Sequence, residues 1–176
     1  YRASSLAASF SQLGGPTLFI DADMRTPRSQ DVFGIANNRS GLTAMLSGRA
    51  EDGVVQRSSQ LPSLFVLPVG AIPPNPLELI QRPAFSLLIQ EMVSKFDHVV
   101  VDSPPILGIA DAPLLSRAVE GCVFVVEAEG VAVRGIKAAL GRLHSVHAHV
   151  FGVVLTKLKQ RQSGYGYGYG YGYGYA

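Results

Sequence analysis

Five short apolar runs constrain this chain more than any other feature: Thr17 to Asp21 (TLFID), Ser63 to Gly70 (SLFVLPVG), His98 to Ser103 (HVVVDS), Gly121 to Ala128 (GCVFVVEA) and Phe151 to Lys157 (FGVVLTK). They are continuous rather than alternating, and β-branched residues dominate several of them. That is the pattern of strands buried on both faces of a parallel sheet. Helix-patterned segments separate the runs: Ala3 to Leu13, Leu42 to Leu46, Asp52 to Arg57, Leu77 to Phe96, Ala112 to Val119 and Val133 to Val146. The alternation predicts an α/β fold with a doubly wound, mainly parallel sheet flanked by helices. With 47% hydrophobic and 16% charged residues, the non-repetitive part suits one covered domain over 1–162, followed by a tail over 163–176 that has no apolar face to bury.

In open parallel sheets ligands bind at the carboxyl ends of the strands, and here those ends carry Asp21, Asp102 and Thr156. Asp23 follows Asp21 at the two-residue spacing that points both side chains the same way in extended chain, and Arg25 stands two residues further on. Asp102 is followed by Ser103, Pro104 and Pro105, and the two prolines end the ladder in a stiff turn. Three converging carboxylates suit a divalent cation. Magnesium, which takes one or two carboxylates along with substrate phosphates and waters, is the expected ion. The alternative is that Asp21 and Asp102 simply cap the helices that follow.

The tail alternates Tyr165, Tyr167, Tyr169, Tyr171, Tyr173 and Tyr175 with glycine. It reads either as a self-associating low-complexity end or as a row of phosphate acceptors. Other features carry less. Cys122 lies within an apolar run and reads as a small buried hydrophobe, and a single cysteine forms no disulfide within the chain. His144, His147 and His149 do not share one helical face, so they suggest no metal site. Lys157, Lys159 and Arg161 read as a solvated strand exit, and a net charge of +2 gives no reason to expect nucleic acid as a partner. No run approaches the ~20 apolar residues that a membrane-spanning helix needs.

A strand ending in DxDxR (Asp21, Asp23, Arg25), followed some eighty residues later by a strand ending in DxPP (Asp102 to Pro105), resembles the nucleotide-binding signatures of bacterial tyrosine kinases, the BY-kinases of the deviant P-loop ATPase superfamily. The likeness extends through Asp21 to Gly34, Gly41 to Gly48, Leu67 to Ile80 and Val99 to Ala128, so it covers nearly the whole chain. It implies a P-loop NTPase-like kinase domain of exopolysaccharide and capsule chain-length regulators, with ATP and Mg²⁺ as cofactors. Asp21 and Asp102 would hold the metal, and Asp23 would act near the attacking hydroxyl. Asp21, Asp102, Arg25 and Thr156 would contact the nucleotide, and the tail tyrosines would be the autophosphorylation sites. Lys159 stands where a guanine-reading motif needs aspartate, so adenine is the expected base. The resemblance also implies a ring-like homo-oligomer, a membrane-spanning activator, and a cytoplasmic position at the inner face of the plasma membrane.

One element of the family pattern is missing from this sequence. The glycine-rich phosphate loop, with its lysine, belongs just before the first helix, and Tyr1 and Arg2 fall where its end would lie. The sequence is therefore expected to be an N-terminal truncation that by itself binds ATP poorly, because backbone N–H groups and a lysine would support the phosphates. Two other functions fit the same fold: a partition- or septum-positioning-type ATPase switch, and a catalytically inactive docking module.

Overall fold

The structure, a computed structural model, describes residues 2–36, 40–49, 53–128 and 130–158. Strand β1 (Thr17–Asp21) lies at its centre, with every residue buried. It pairs in parallel with β3 (Leu64–Leu67) on one side and β4 (His98–Asp102) on the other. A short strand, β2 (Gln56–Arg57), adds antiparallel to the outer edge of β3, giving the order β2-β3-β1-β4.

Alternate residues of β1 enter different cores, which shows that this sheet is covered on both faces. Leu18 and Ile20 join a cluster with Leu67, Leu79, Phe85 and Met92, whereas Phe19 joins Ala7, Phe33, Leu64 and Val66. The first cluster takes its outer layer from α4 (Pro76–Gln81) and α5 (Pro83–Lys95), the second from α1 (Arg2–Gln12) and α2 (Ser29–Phe33). A continuous apolar strand is what such a two-sided burial requires.

The sequence between Leu77 and Phe96 was expected to be one helix, but it is two. Pro83 disfavours helical geometry at the residue before it, and Arg82 is extended at ψ 148°. Each new helix then starts with a proline, Pro76 or Pro83, where the missing N–H costs nothing. The helix expected over Asp52 to Arg57 is a correction. Asp52 lies outside the described residues, Gly53 takes φ +81°, and Gln56 and Arg57 are strand β2, opposite Val66 and Phe65. A left-handed glycine and a free sheet edge outweigh the local helical pattern. Arg57 completes the pairing by donating from Nε to the Pro62 carbonyl at 2.7 Å and lying 5.9 Å above the Phe65 ring.

Strands β5 (Cys122–Glu127) and β6 (Val150–Thr156) also run parallel, but they form a separate two-stranded sheet. The expectation of strands buried on both faces fails for this pair. Val123, Val125, Phe151, Val153 and Leu155 are all exposed, at 42–64% of their surface. Among the described residues β4 is paired only with β1 and β5 only with β6, so one edge of each strand is open and these apolar side chains lack a neighbouring strand to pack along. Helix α7 (Val133–Ser145) buries Ala139 and Leu143. Its Arg142 donates from Nη1 to the Ile106 carbonyl at 3.0 Å, fastening the loop that leaves β4.

Close backbone contact fixes the carboxyl end of β3. Gly41 and Gly70 lie so near each other that a Cβ on Gly41 would sit 2.4 Å from the Gly70 nitrogen, and Gly70 has φ +78°. That approach lets Leu42 and Thr43, which open helix α3 (Leu42–Leu46), donate to the Pro68 and Val69 carbonyls.

Candidate functional site at the carboxyl ends of β1 and β4

Asp21 and Asp102 are paired across the ladder as the last residues of their strands, and the Ala22 N–H donates to the Asp102 carbonyl at 2.9 Å. The parallel register therefore brings the two signatures, eighty residues apart in sequence, to one edge of the sheet. Their carboxylates do different work.

Asp21 is 2% exposed and binds backbone. Its Oδ1 accepts from Asp23 N at 3.2 Å, and its Oδ2 accepts from Arg28 N at 3.2 Å and Ser29 N at 3.0 Å. Arg28 is the N-cap and Ser29 the first residue of α2, so Asp21 braces the entry to this helix without being its cap residue. A carboxylate has about four lone-pair positions, and three donors leave about one for a further ligand.

Asp102 is open where Asp21 is engaged. No donor among the described residues reaches its carboxylate, and burial pushes its pKa up to about 6, with Asp21 and Asp23 adding negative charge nearby. The buried Pro104 holds the turn behind it. A half-buried carboxylate beside two negative neighbours, with no hydrogen-bond donor among the described residues, is a position that a cation would relieve.

Asp23 turns back on its own loop. Oδ1 accepts from Arg25 N at 3.2 Å and Thr26 N at 3.0 Å, and Oδ2 accepts from the Thr26 hydroxyl at 2.8 Å. The expectation that three carboxylates converge on a metal is therefore corrected. Among the described residues no three His, Cys, Asp or Glu side chains are placed to hold one ion, and Asp23 is engaged by donors of its own loop. The pair Asp21 and Asp102 remains, and two carboxylates fit magnesium, which keeps waters and phosphate oxygens in its shell. Oδ2 of Asp23, with a single donor, keeps room to accept one hydroxyl proton.

The remaining candidates separate. Arg25 directs Nε and Nη2 onto Asp111, at 3.0 and 3.2 Å. Thr156 ends β6 in the second sheet, where its hydroxyl donates to the Val126 carbonyl at 3.0 Å. The tyrosines expected as acceptors, Tyr165 through Tyr175, lie outside the described residues. The sequence reading missed Asp111 and Thr26. Asp111 had one signal, an acidic residue just before an expected helix, but nothing local paired it with an arginine 86 residues away.

No family model matches the chain. It is 33% identical over 158 residues to the tyrosine-protein kinase CpsD of Streptococcus agalactiae, an alignment spanning 90% of this chain and 69% of that protein. The solved kinase domain of the Escherichia coli tyrosine kinase ETK superposes with a TM-score of 0.85 at 30% identity, covering 96% of this chain and 66% of the other. The septum site-determining protein MinD from Pyrococcus horikoshii, solved with Mg-ADP, shares the fold at TM-score 0.71 and 19% identity over 87% of this chain and 62% of its own. The register that aligns Asp21 with Asp102, together with identity of this extent to CpsD, shows that the chain belongs to the bacterial tyrosine-protein kinase family.

Proposed function

We propose that this protein is an ATP-dependent protein-tyrosine autokinase that phosphorylates its own C-terminal tyrosines and so regulates capsular or exopolysaccharide synthesis and export. The observation that carries the reading is Asp102: an open carboxylate beside Asp21 at the ligand-binding edge of the sheet, in a chain of a tyrosine-kinase family that ends in six alternating tyrosines.

Asp21 and Asp102 would hold Mg²⁺, which when bound would supply positive charge to stabilise the transferring phosphoryl group. The chain's own residues do the positioning. Three backbone N–H groups keep Asp21 from rotating, so its one open lone-pair position has a fixed direction. Asp23 offers Oδ2 to the incoming phenol, accepting its hydrogen bond and aligning its oxygen for attack.

The acceptor would come from a neighbouring copy in a ring-like homo-oligomer. A tail with glycine at every second position would supply its tyrosines to an adjacent site. A membrane-spanning activator of the chain-length-regulator type would hold the ring at the inner face of the plasma membrane; no helix among the described residues is long and apolar enough to cross a membrane. Each phosphotyrosine adds about −1.5 to −2 charges, so a phosphorylated tail would loosen the ring by repulsion.

Mixing tests the in-trans step. A full-length Asp23→Asn variant with an intact tail is combined with an active protein whose six tail tyrosines are phenylalanine, in the presence of Mg²⁺ and ATP. Phosphotyrosine on the Asp23→Asn partner is expected. Phosphotyrosine in the wild type but none in the mixture would overturn transfer between subunits.

A further inference from the structure

The loop between β1 and α2 carries Asp23, and one of its side chains ties it to a distant part of the chain. Arg25 reaches from that loop to Asp111, the first residue of α6 (Asp111–Ser116), with Nε 3.0 Å from Oδ2 and Nη2 3.2 Å from Oδ1. The pair is bidentate, the geometry in which arginine fixes direction as well as distance. Its two ends differ in exposure: the arginine side chain is 42% exposed and the aspartate 1%. A carboxylate that deep is costly to bury unpaired, so the contact holds whenever Asp111 stays in place.

Residue 25 is also held from its other side, because its backbone N–H donates to Asp23 Oδ1. The chain of contact runs from buried Asp111, through the Arg25 guanidinium, to the Arg25 amide and on to the Asp23 carboxylate. Helix α6 is itself the element reached by the loop that leaves Asp102, and Arg142 fastens that loop at Ile106. One ion pair therefore links the loops that follow the two signature strands.

We infer that Asp111 and Arg25 are positioning residues for the phosphoryl-transfer site: their ion pair clamps the loop after β1 to α6 and sets where Asp23 stands relative to Asp102. Arg25 then acts from the loop rather than as a nucleotide ligand. The inference rests on the kinase reading for its consequence in catalysis, but the clamp itself is a structural statement with its own readout.

The test uses the full-length protein and the variants Asp111→Asn, Arg25→Lys and the double substitution. Asparagine keeps the shape of the buried side chain and removes its charge, and lysine keeps the charge and removes the fork. Limited trypsinolysis reports the loop directly, through cleavage after residue 25 and after Arg28. Both single variants are expected to be cut there about tenfold faster than wild type while thermal melting stays cooperative. Autophosphorylation is expected to lose about tenfold or more in kcat, with KM for ATP within about threefold, because an orienting contact is lost rather than a binding one. The double variant should be no worse than the worse single one, since both break the same contact.

Unchanged loop cleavage in both single variants, or losses that multiply in the double variant, would overturn the clamp. If Asp111→Asn does not fold, Arg25→Lys, altered at the exposed end of the pair, carries both readouts alone. A wild type without kinase activity would remove the catalytic consequence and the proposed function together, leaving the cleavage arm to decide the clamp.

Discussion

Substituting Asp102 by asparagine should stabilise the protein while abolishing phosphoryl transfer. The carboxyl's pKa stands near 6 against an ordinary 3.8, raised first by burial and then by Asp21 and Asp23. Because the folded-state value lies above the unfolded one, the stability linked to this group is fully present below the unfolded pKa. It is lost as pH rises through the folded one. A shift of about two units at about 1.4 kcal/mol each sets an upper bound of about 3 kcal/mol, and partial solvent access reduces it to about 2 kcal/mol. Asparagine fills the same space without the charge. At about pH 7.5 the variant should melt roughly 4–8 °C above wild type, given a shift of about 2–4 °C per kcal/mol for a chain of this size, and the gap should close near pH 4. Thermal melts by circular dichroism at both pH values measure this. In the full-length protein, Mg²⁺ with nucleotide should raise the melting temperature of the wild type and not of the variant. A variant that melts lower at pH 7.5, or a gap that does not change with pH, would refute the reasoning that Asp102 is a desolvated, unpaired carboxylate.

Asp21→Ala should act in the opposite direction, because it leaves the N–H groups of Asp23, Arg28 and Ser29 without their acceptor. A loss of about 3 kcal/mol is expected in urea unfolding, with loop amides exchanging faster. Gly41→Ala would place a Cβ 2.4 Å from backbone that cannot retreat, and a comparable destabilisation of about 2–4 kcal/mol should appear in the same assay. By contrast, Lys157→Gln removes an exposed partner of Glu127 and should leave the melting temperature unchanged within error.

Much of the fold was legible because apolar continuity reports burial. The run Thr17 to Asp21 predicts β1 to the residue, and Leu42 to Leu46 predicts α3. Where the reading failed, the deciding interaction was not local. Gln56 and Arg57 become strand through β3, whose pairing a local helical pattern cannot contain. The runs from Gly121 and Phe151 have the composition of covered strands, yet in this structure they form a two-stranded sheet with exposed valines, because burial depends on which neighbours are present.

The candidate site divides in the same way. Strand-terminal aspartates are visible in sequence, and the parallel register of β1 with β4 confirms that Asp21 and Asp102 meet at one edge. What each carboxylate does was hidden, because it depends on donors supplied by the fold. Asp21 accepts backbone N–H groups up to eight residues on, Asp23 is held by Thr26, and Asp102 has no donor among the described residues. Asp111 was missed for a related reason, since its partner is 86 residues away and no spacing rule joins them.

The central claim is that the strand-end carboxylates serve phosphate transfer to the tail. Incubating the full-length protein with Mg²⁺ and ATP, digesting it and mapping phosphate by mass spectrometry tests this directly. Phosphate on several of Tyr165, Tyr167, Tyr169, Tyr171, Tyr173 and Tyr175, absent from Asp102→Asn, is the expected result. ATP turnover with an unmodified tail would contradict it and would favour an ATPase switch; no turnover at all would favour a docking module.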